Sequence, residues 1–149
     1  MSPELGTARA ADLPQLVGLL GILFTQEAEL SPDPDKQRRA LELILADPSR
    51  ARIYVAREGG RVIAMAALHF TTSTAEGGKV AGLEDCIVHP DFRRRGVGQK
   101  LLGYVLEQAK KEGALRVMLL TDGDNVTAQA LYRKLGFSPS SMLAMRLKL

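Results

Sequence analysis

Leu13, Leu16, Val17, Leu20 and Phe24 recur three or four residues apart and so mark one face of a helix. Asp12 stands at its cap position, Pro14 lies in the first turn, and the pattern fades near Glu27. "LSPDPDK" reads as a loop, and residues 34–46 as a second helix stopped by Asp47-Pro48. The period then shortens. Residues 52–57 and 61–70 are apolar and β-rich on either side of "EGG", which predicts a hairpin. "TTSTAEGGK" is a polar loop or strand end, and residues 79–89 read as a third long strand. Helical spacing returns over 97–112, with Val97, Leu101, Leu102, Val105, Leu106 and Ala109 on one face and Gly113 as the stop. Residues 115–121 are a buried apolar strand, "DGDN" a turn and cap, and 126–135 a short helix closed by Gly136. A short strand over 4–9 and one or two strands within 137–149 complete the pattern.

The order is β-α-α-β-β-β-α-β-α-β. Neighbouring strands without an intervening helix pair antiparallel, and strand–helix–strand units cross over, so this predicts a mixed α/β sheet with helices on both faces. No repeat or linker divides the chain, and residues 1–149 are expected to form a single domain. Hydrophobic residues make up 46% and charged residues 25% of the sequence, enough to bury a core without disulfides or metal. The single cysteine, Cys86, excludes an internal disulfide and fits a reducing compartment. Two histidines and one cysteine make a structural zinc site a poor expectation, and no metal is expected. The first apolar run lacks a basic leader and is too short to span a bilayer, so a cytoplasmic location without a membrane partner is expected. A net charge of +3 is weak support for nucleic acid, which is not expected as a partner.

One stretch runs against helix energetics. "HPDFRRRGVGQK" places three arginines and two glycines where a helix begins. Free N–H groups make a helix start positive, so cations are disfavoured there, and Gly98 within the first turn costs about 1 kcal/mol relative to alanine. A bound anion resolves the conflict: the N–H groups face it, glycines admit it, and arginines attract it. The alternative is a solvated basic turn. The spacing is not that of the common nucleotide loops.

"RRRGVG" resembles the [QR]-x-x-G-x-[GA] signature of the GNAT superfamily of acetyltransferases, at Arg93, Gly96 and Gly98. "LEDCIVHPDF" before it is similar to that family's fourth strand and following turn. "NVTAQALYRKLGF" after it is similar to the family's N-x-x-A-x-x-L-Y-x-x-x-G-F segment, at Asn125, Ala128, Leu131, Tyr132, Gly136 and Phe137. The resemblance implies a mixed, mostly antiparallel sheet whose fourth and fifth strands, here 79–89 and 115–121, splay apart. It also implies acetyl-CoA as co-substrate. The loop Arg93, Arg94, Arg95, Gly96, Val97, Gly98 and Gln99 would hold its pyrophosphate. The main chain of Cys86, Ile87 and Val88 would pair with the pantetheine arm, with Asn125, Ala128 and Tyr132 on the far side. Gln99 departs from the small hydroxyl residue common there, with little consequence for main-chain contacts.

Acetyl transfer to an amine needs a base for a group that ordinarily titrates near 10.4, a site for the oxyanion, and a proton for the departing thiolate. By the resemblance Tyr132 is the acid and Glu84 the base, directly or through water. Asp85 is its neighbour in the strand, and strict alternation would send the two carboxylates to opposite faces. A small buried role is expected for Cys86, a turn role for His89, packing for Tyr54 and Tyr104, and an acceptor-side position is open to His69. "TQEAELSPDPDK" carries Glu27, Glu29, Asp33 and Asp35 against Lys36, an acidic rim that would favour a cationic amine unless it is merely solvated. The expectation is an N-acetyltransferase acting on a primary amine in a ternary complex. The alternative is a non-catalytic coenzyme-binding protein of the same fold. A homodimer is an expectation by family analogy.

Overall fold

The computed structural model describes residues 2–27 and 29–149. It divides into two compact units, one ending at Leu119 and one spanning Leu120–Leu149. The first unit contains β1 (Glu4–Thr7), α1 (Leu13–Gln26), α2 (Pro34–Ala46), β2 (Ala51–Glu58), β3 (Arg61–Ser73), β4 (Gly78–Val88), α3 (Val97–Lys111) and β5 (Val117–Leu119). Its sheet has the order β1-β2-β3-β4-β5, antiparallel throughout except for the parallel β4–β5 pair. The hairpin expected at "EGG" joins β2 to β3 through Gly59 and Gly60, both at positive φ (56° and 80°), as a tight turn of matching twist requires.

Each sheet face carries its own apolar layer. Leu16, Leu19 and Leu20 of α1 and Leu41 of α2 pack with Ile53, Val55, Met65, Ala67 and Ile87. On the opposite face Tyr54 of β2 meets Tyr104 of α3 edge to face, with ring centroids 5.8 Å apart. The buried α3 positions are Val97, Leu101, Leu102, Val105 and Ala109, as the period predicts; Leu106 is half-buried. The central strand β3 is buried from Val62 to Leu68 and has three alanines and no glycine there, so both helix layers lie close on it.

Two irregularities shape the sheet. At the first, between Ala56 and Arg57, the β2–β3 register shifts, and the Val62 N–H donates instead to Gln15 Oε1 of α1 at 2.9 Å. The second lies in β4. Glu84 pairs with Ala67 and Ile87 with Met65, so Asp85 and Cys86 together stand opposite Ala66. Strict alternation therefore fails across this β-bulge: Glu84 and Ile87, three apart, share a face.

Asp12 corrects a second expectation. It occupies the residue before α1 but gives that helix no side-chain cap. Its carboxylate accepts instead from the Arg9 N–H at 2.7 Å and from both ends of the Arg57 guanidinium at 2.6 Å.

The second unit holds α4 (Val126–Lys134), capped by the Asn125 side chain. No strand forms in residues 137–149, contrary to the strand expected there, so the observed order ends at α4. The alternation "LAMRLKL" suits an edge strand, but a strand exists only with a ladder partner, which local sequence does not specify.

Candidate active site

The β4–β5 ladder is short. It joins Ala81, Gly82 and Leu83 to Val117, Met118 and Leu119, and β4 continues alone to Val88. From Glu84 onward β4 keeps β3 on one side and, among the described residues, has no strand on the other, in keeping with the splay expected of these strands. The His89 N–H bonds Ile63 O on β3 at 2.8 Å, so the preceding Val88 carbonyl points to the open edge. There Arg93 Nε donates to it at 3.0 Å. This contact was not legible in the sequence. It ties the loop to the strand edge and gives Arg93 a positioning contact of its own.

The strand then turns sharply. The His89 Nδ1 accepts from the Asp91 N–H at 3.2 Å, the turn role expected of it, and its Nε2 lies 3.2 Å from Arg61. Phe92 carries two guanidiniums near its ring, Arg61 and Arg95, each 5.2 Å from the centroid. Arg94 and Gly96 both adopt positive φ, 65° and 76°, and Gly96 is the residue before α3. That backbone brings successive N–H groups into one concave loop. Among the described residues, no backbone or side-chain acceptor within the chain is found for the N–H groups of Arg94, Arg95, Gly96, Val97, Gly98 and Gln99. Lys100 is the first to close a helical bond, to Gly96 O at 3.1 Å. Beside the loop a cleft of about 370 Å³ is lined by Ser2, Pro3, Glu58, Arg95, Val97 and Lys100. A row of unpaired donors flanked by arginines and lysine fits a polyphosphate, and the adjoining strand edge fits an amide-bearing arm.

The bulge carries the titratable groups. Asp85 sits at φ 56°, a left-handed conformation that aspartate tolerates better than most residues. Burial, then the neighbouring Glu84, pushes its carboxyl up to about 6, opposed by His69. Glu84 is exposed, and its Oε2 lies 3.6 Å from His69 Nε2. Cys86 is half-buried, its thiol 3.9 Å from the Glu84 carbonyl, in keeping with a small strand residue.

A raised carboxyl costs stability wherever the folded protein must hold it ionised. The folded value of Asp85 lies above the 3.8 usual for an aspartate, so the cost is full above pH about 6 and vanishes below 3.8. Asp85→Asn is therefore expected to gain on the order of 1–2 kcal/mol at pH 7.5, and less as pH falls toward 4. Urea unfolding across pH 4–8 checks this. An equal stability difference at both ends would contradict it.

In the second unit, Asn125 Oδ1 accepts from the Ala128 N–H at 3.1 Å, and Gln129 Nε2 donates to the carbonyls of Asp122 and Gly123 at 2.9 and 3.0 Å. "DGDN" is thus a turn and cap pinned by Gln129, a partner the sequence did not reveal. Among the described residues no group of three or more His, Cys, Asp or Glu is placed to hold a metal. Tyr132 is half-buried and packs edge to face on Phe137, centroids 5.9 Å apart. In "TQEAELSPDPDK", Ala28 lies outside the described residues. Asp33 accepts from the Lys36 N–H at 3.3 Å to cap α2, and Asp35 lies in its first turn, so helix initiation accounts for both.

Residues 16–137 match the Acetyltransferase (GNAT) family. The chain belongs to that family. An uncharacterized N-acetyltransferase of Methanocaldococcus jannaschii is 37% identical over 71 residues, covering 48% of this chain and 31% of that protein. The chain thus spans about a third of the length of that curated relative. Glucosamine 6-phosphate N-acetyltransferase of Trypanosoma brucei brucei is 27% identical over 139 residues, covering 90% of this chain and 88% of the relative. A predicted acetyltransferase from Clostridium acetobutylicum, crystallised with acetyl-CoA, superposes with a TM-score of 0.78 at 20% identity, covering 97% of this chain and 96% of that one. That likeness bears on the fold alone. Among the described residues of this GNAT protein, no helix is long and apolar enough to cross a membrane.

Proposed function

We propose that this GNAT protein transfers the acetyl group of acetyl-CoA to a primary amine by direct attack in a ternary complex. The observation that carries the reading is the row of N–H groups from Arg94 to Gln99 without acceptors among the described residues, beside the open edge of β4. In this reading the loop of Arg93, Arg94, Arg95, Gly96, Val97, Gly98 and Gln99 binds the pyrophosphate. Cys86, Ile87 and Val88 lie along the pantetheine arm, and Asn125, Ala128 and Tyr132 are the further coenzyme-binding residues that the family resemblance assigns.

The chemistry divides between two groups. Glu84 supplies the negative charge that draws a proton off the amine, directly or through an intermediary. Tyr132 protonates the departing thiolate. The acceptor arrives as an ammonium ion, since alkylamines ordinarily titrate near 10.4, and an exposed carboxylate on the open stretch of β4 suits a cation. The cytoplasm, with its reduced thiols, is the compartment this reading fits.

Thermal unfolding with and without acetyl-CoA tests the proposal. Ligand at about 100 times its Kd adds roughly 2.7 kcal/mol, several degrees for a domain of this size. Gly98→Trp, which places an indole in the first turn of α3, is expected to abolish the rise. No rise for the wild type at millimolar acetyl-CoA would overturn the reading. A rise without thiol release toward any amine would favour the non-catalytic coenzyme-binding alternative.

A further inference from the structure

We infer that the atom which takes the amine's proton is His69 Nδ1, and that Glu84 acts through His69 by fixing its tautomer. This deepens the acetyl-transfer reading and rests on it.

The β3–β4 register pairs His69 with Gly82 and Ala67 with Glu84. Residues two apart on one strand share a face, so His69 and Glu84 are diagonal neighbours on the same face. Their closest atoms, Nε2 and Oε2, are 3.6 Å apart, just beyond hydrogen-bond length. The Nε2 atom is buried and has no hydrogen-bond partner among the described residues. Yet the His69 side chain as a whole is 37% exposed and that of Glu84 64% exposed. The ring therefore turns one nitrogen inward, toward a carboxylate, while much of its surface stays open.

A buried ring nitrogen needs a partner, and a small rotation of the exposed Glu84 side chain supplies one. An ionised carboxylate only accepts, so Nε2 must carry the hydrogen. That leaves the lone pair on Nδ1. Imidazoles ordinarily titrate near 6.5 and carboxylates near 4, so the imidazole is the better matched base at neutral pH. Asp85, the third titratable group at the bulge, is opposed by Glu84 and favoured by His69 in its ionised form, so it belongs to the same electrostatic cluster.

The step balances without change of oxidation state. One N–H bond of the ammonium breaks and its proton joins Nδ1. The imidazolium so formed keeps its Nε2–H directed at the Glu84 carboxylate. The freed nitrogen pair forms the C–N bond at the thioester carbonyl, and the C–S bond breaks. The thiolate takes a proton from Tyr132, and the second proton lost by the nitrogen restores Tyr132. The open side of the His69 ring returns its proton to water.

Ring-nitrogen NMR on protein labelled in histidine reads the tautomer directly and needs no acceptor. The expected result is a neutral His69 ring protonated at Nε2 and bare at Nδ1; a ring protonated at Nδ1 overturns the inference. Thiol release from acetyl-CoA is then followed with spermidine, kanamycin and a peptide bearing a free α-amine as probes. On the fastest of these, His69→Gln is expected to lower kcat about 100-fold, at the low end for loss of a general base, with the KM for acetyl-CoA within about twofold. Adding Glu84→Gln to it should cost no more than about a further threefold, because the two residues act as one unit. Turnover by His69→Gln within about twofold of wild type, or losses that multiply, overturns the inference. Stabilisation by acetyl-CoA separates the two readings. If the wild type is not stabilised, acetyl transfer itself fails; if it is stabilised and His69→Gln keeps its rate, only the role of His69 fails.

Discussion

Asp12→Ala is expected to destabilise the protein by about 3–5 kcal/mol, the usual result of leaving one member of a buried ion pair behind. Asp12 and Arg57 are 3% and 8% exposed, and both guanidinium ends bond the carboxylate at 2.6 Å. Alanine leaves the guanidinium in the sheet without its hydrogen-bonded carboxylate, with only the weaker pull of Glu4, and leaves the Arg9 N–H without its acceptor. At roughly 2–4 °C per kcal/mol, the midpoint should fall by about ten degrees. The pair itself need not be worth that much: Asp12→Ala combined with Arg57→Met should recover a large part of the loss, because apolar replacement of both partners removes the unpaired charge. The pH dependence has a definite sign. The Arg57 guanidinium beside Asp12 holds its carboxyl below the 3.8 usual for an aspartate, against the opposing effect of burial. A lowered folded value contributes stability that is full above 3.8 and is lost as pH falls through the folded value. Unfolding of wild type and variant from pH 2 to 7 should show a gap that is constant above about 5 and closes in acid. A gap under 1 kcal/mol at pH 7 would show that water already reaches this pair.

Asp12 also marks what the sequence could not disclose. The apolar period located α1, and Asp-x-Pro suggested a cap. The partner that claims the carboxylate instead stands on β2, across the layer between helix and sheet. The same holds for Gln15, whose side chain satisfies the Val62 N–H exposed by a register shift. Periodicity reports which face of an element is apolar, and it served well for α3, where every predicted position is buried or half-buried. It cannot report a bulge, because one extra residue leaves the apolar pattern of β4 almost unchanged while reversing every facing beyond it. The site shows the same division. Gly96 and Gly98 among arginines drew attention to the loop we propose as the anion site, through a local conflict of helix energetics. The Arg93–Val88 contact and the His69–Glu84 neighbourhood depend on register, and only the folded sheet supplies that.

Tyr132→Phe is expected to lower turnover by about 100-fold, at the low end of the range for loss of a positioned acid. The low end follows from the leaving group: thiols ordinarily titrate near 8.5, so a thiolate departs unaided far more readily than an alkoxide. The substitution also keeps the ring contact and the main-chain bond of this residue. Tyr132 packs edge to face on Phe137, and a phenylalanine ring keeps that contact, while the Phe137 N–H still finds the main-chain carbonyl of residue 132, now at 3.0 Å. Unfolding stability and the stabilisation by acetyl-CoA should therefore change little, which separates the chemical role from a packing role. A purely structural tyrosine predicts the reverse, lost stability with turnover per folded molecule intact. The decisive comparison is with a coenzyme analogue whose thiol is more acidic. If the phenol supplies the proton, such a leaving group needs it less, and the deficit of Tyr132→Phe should shrink. If the deficit is the same for both thioesters, the hydroxyl acts before the C–S bond breaks, and its place is in orienting the thioester.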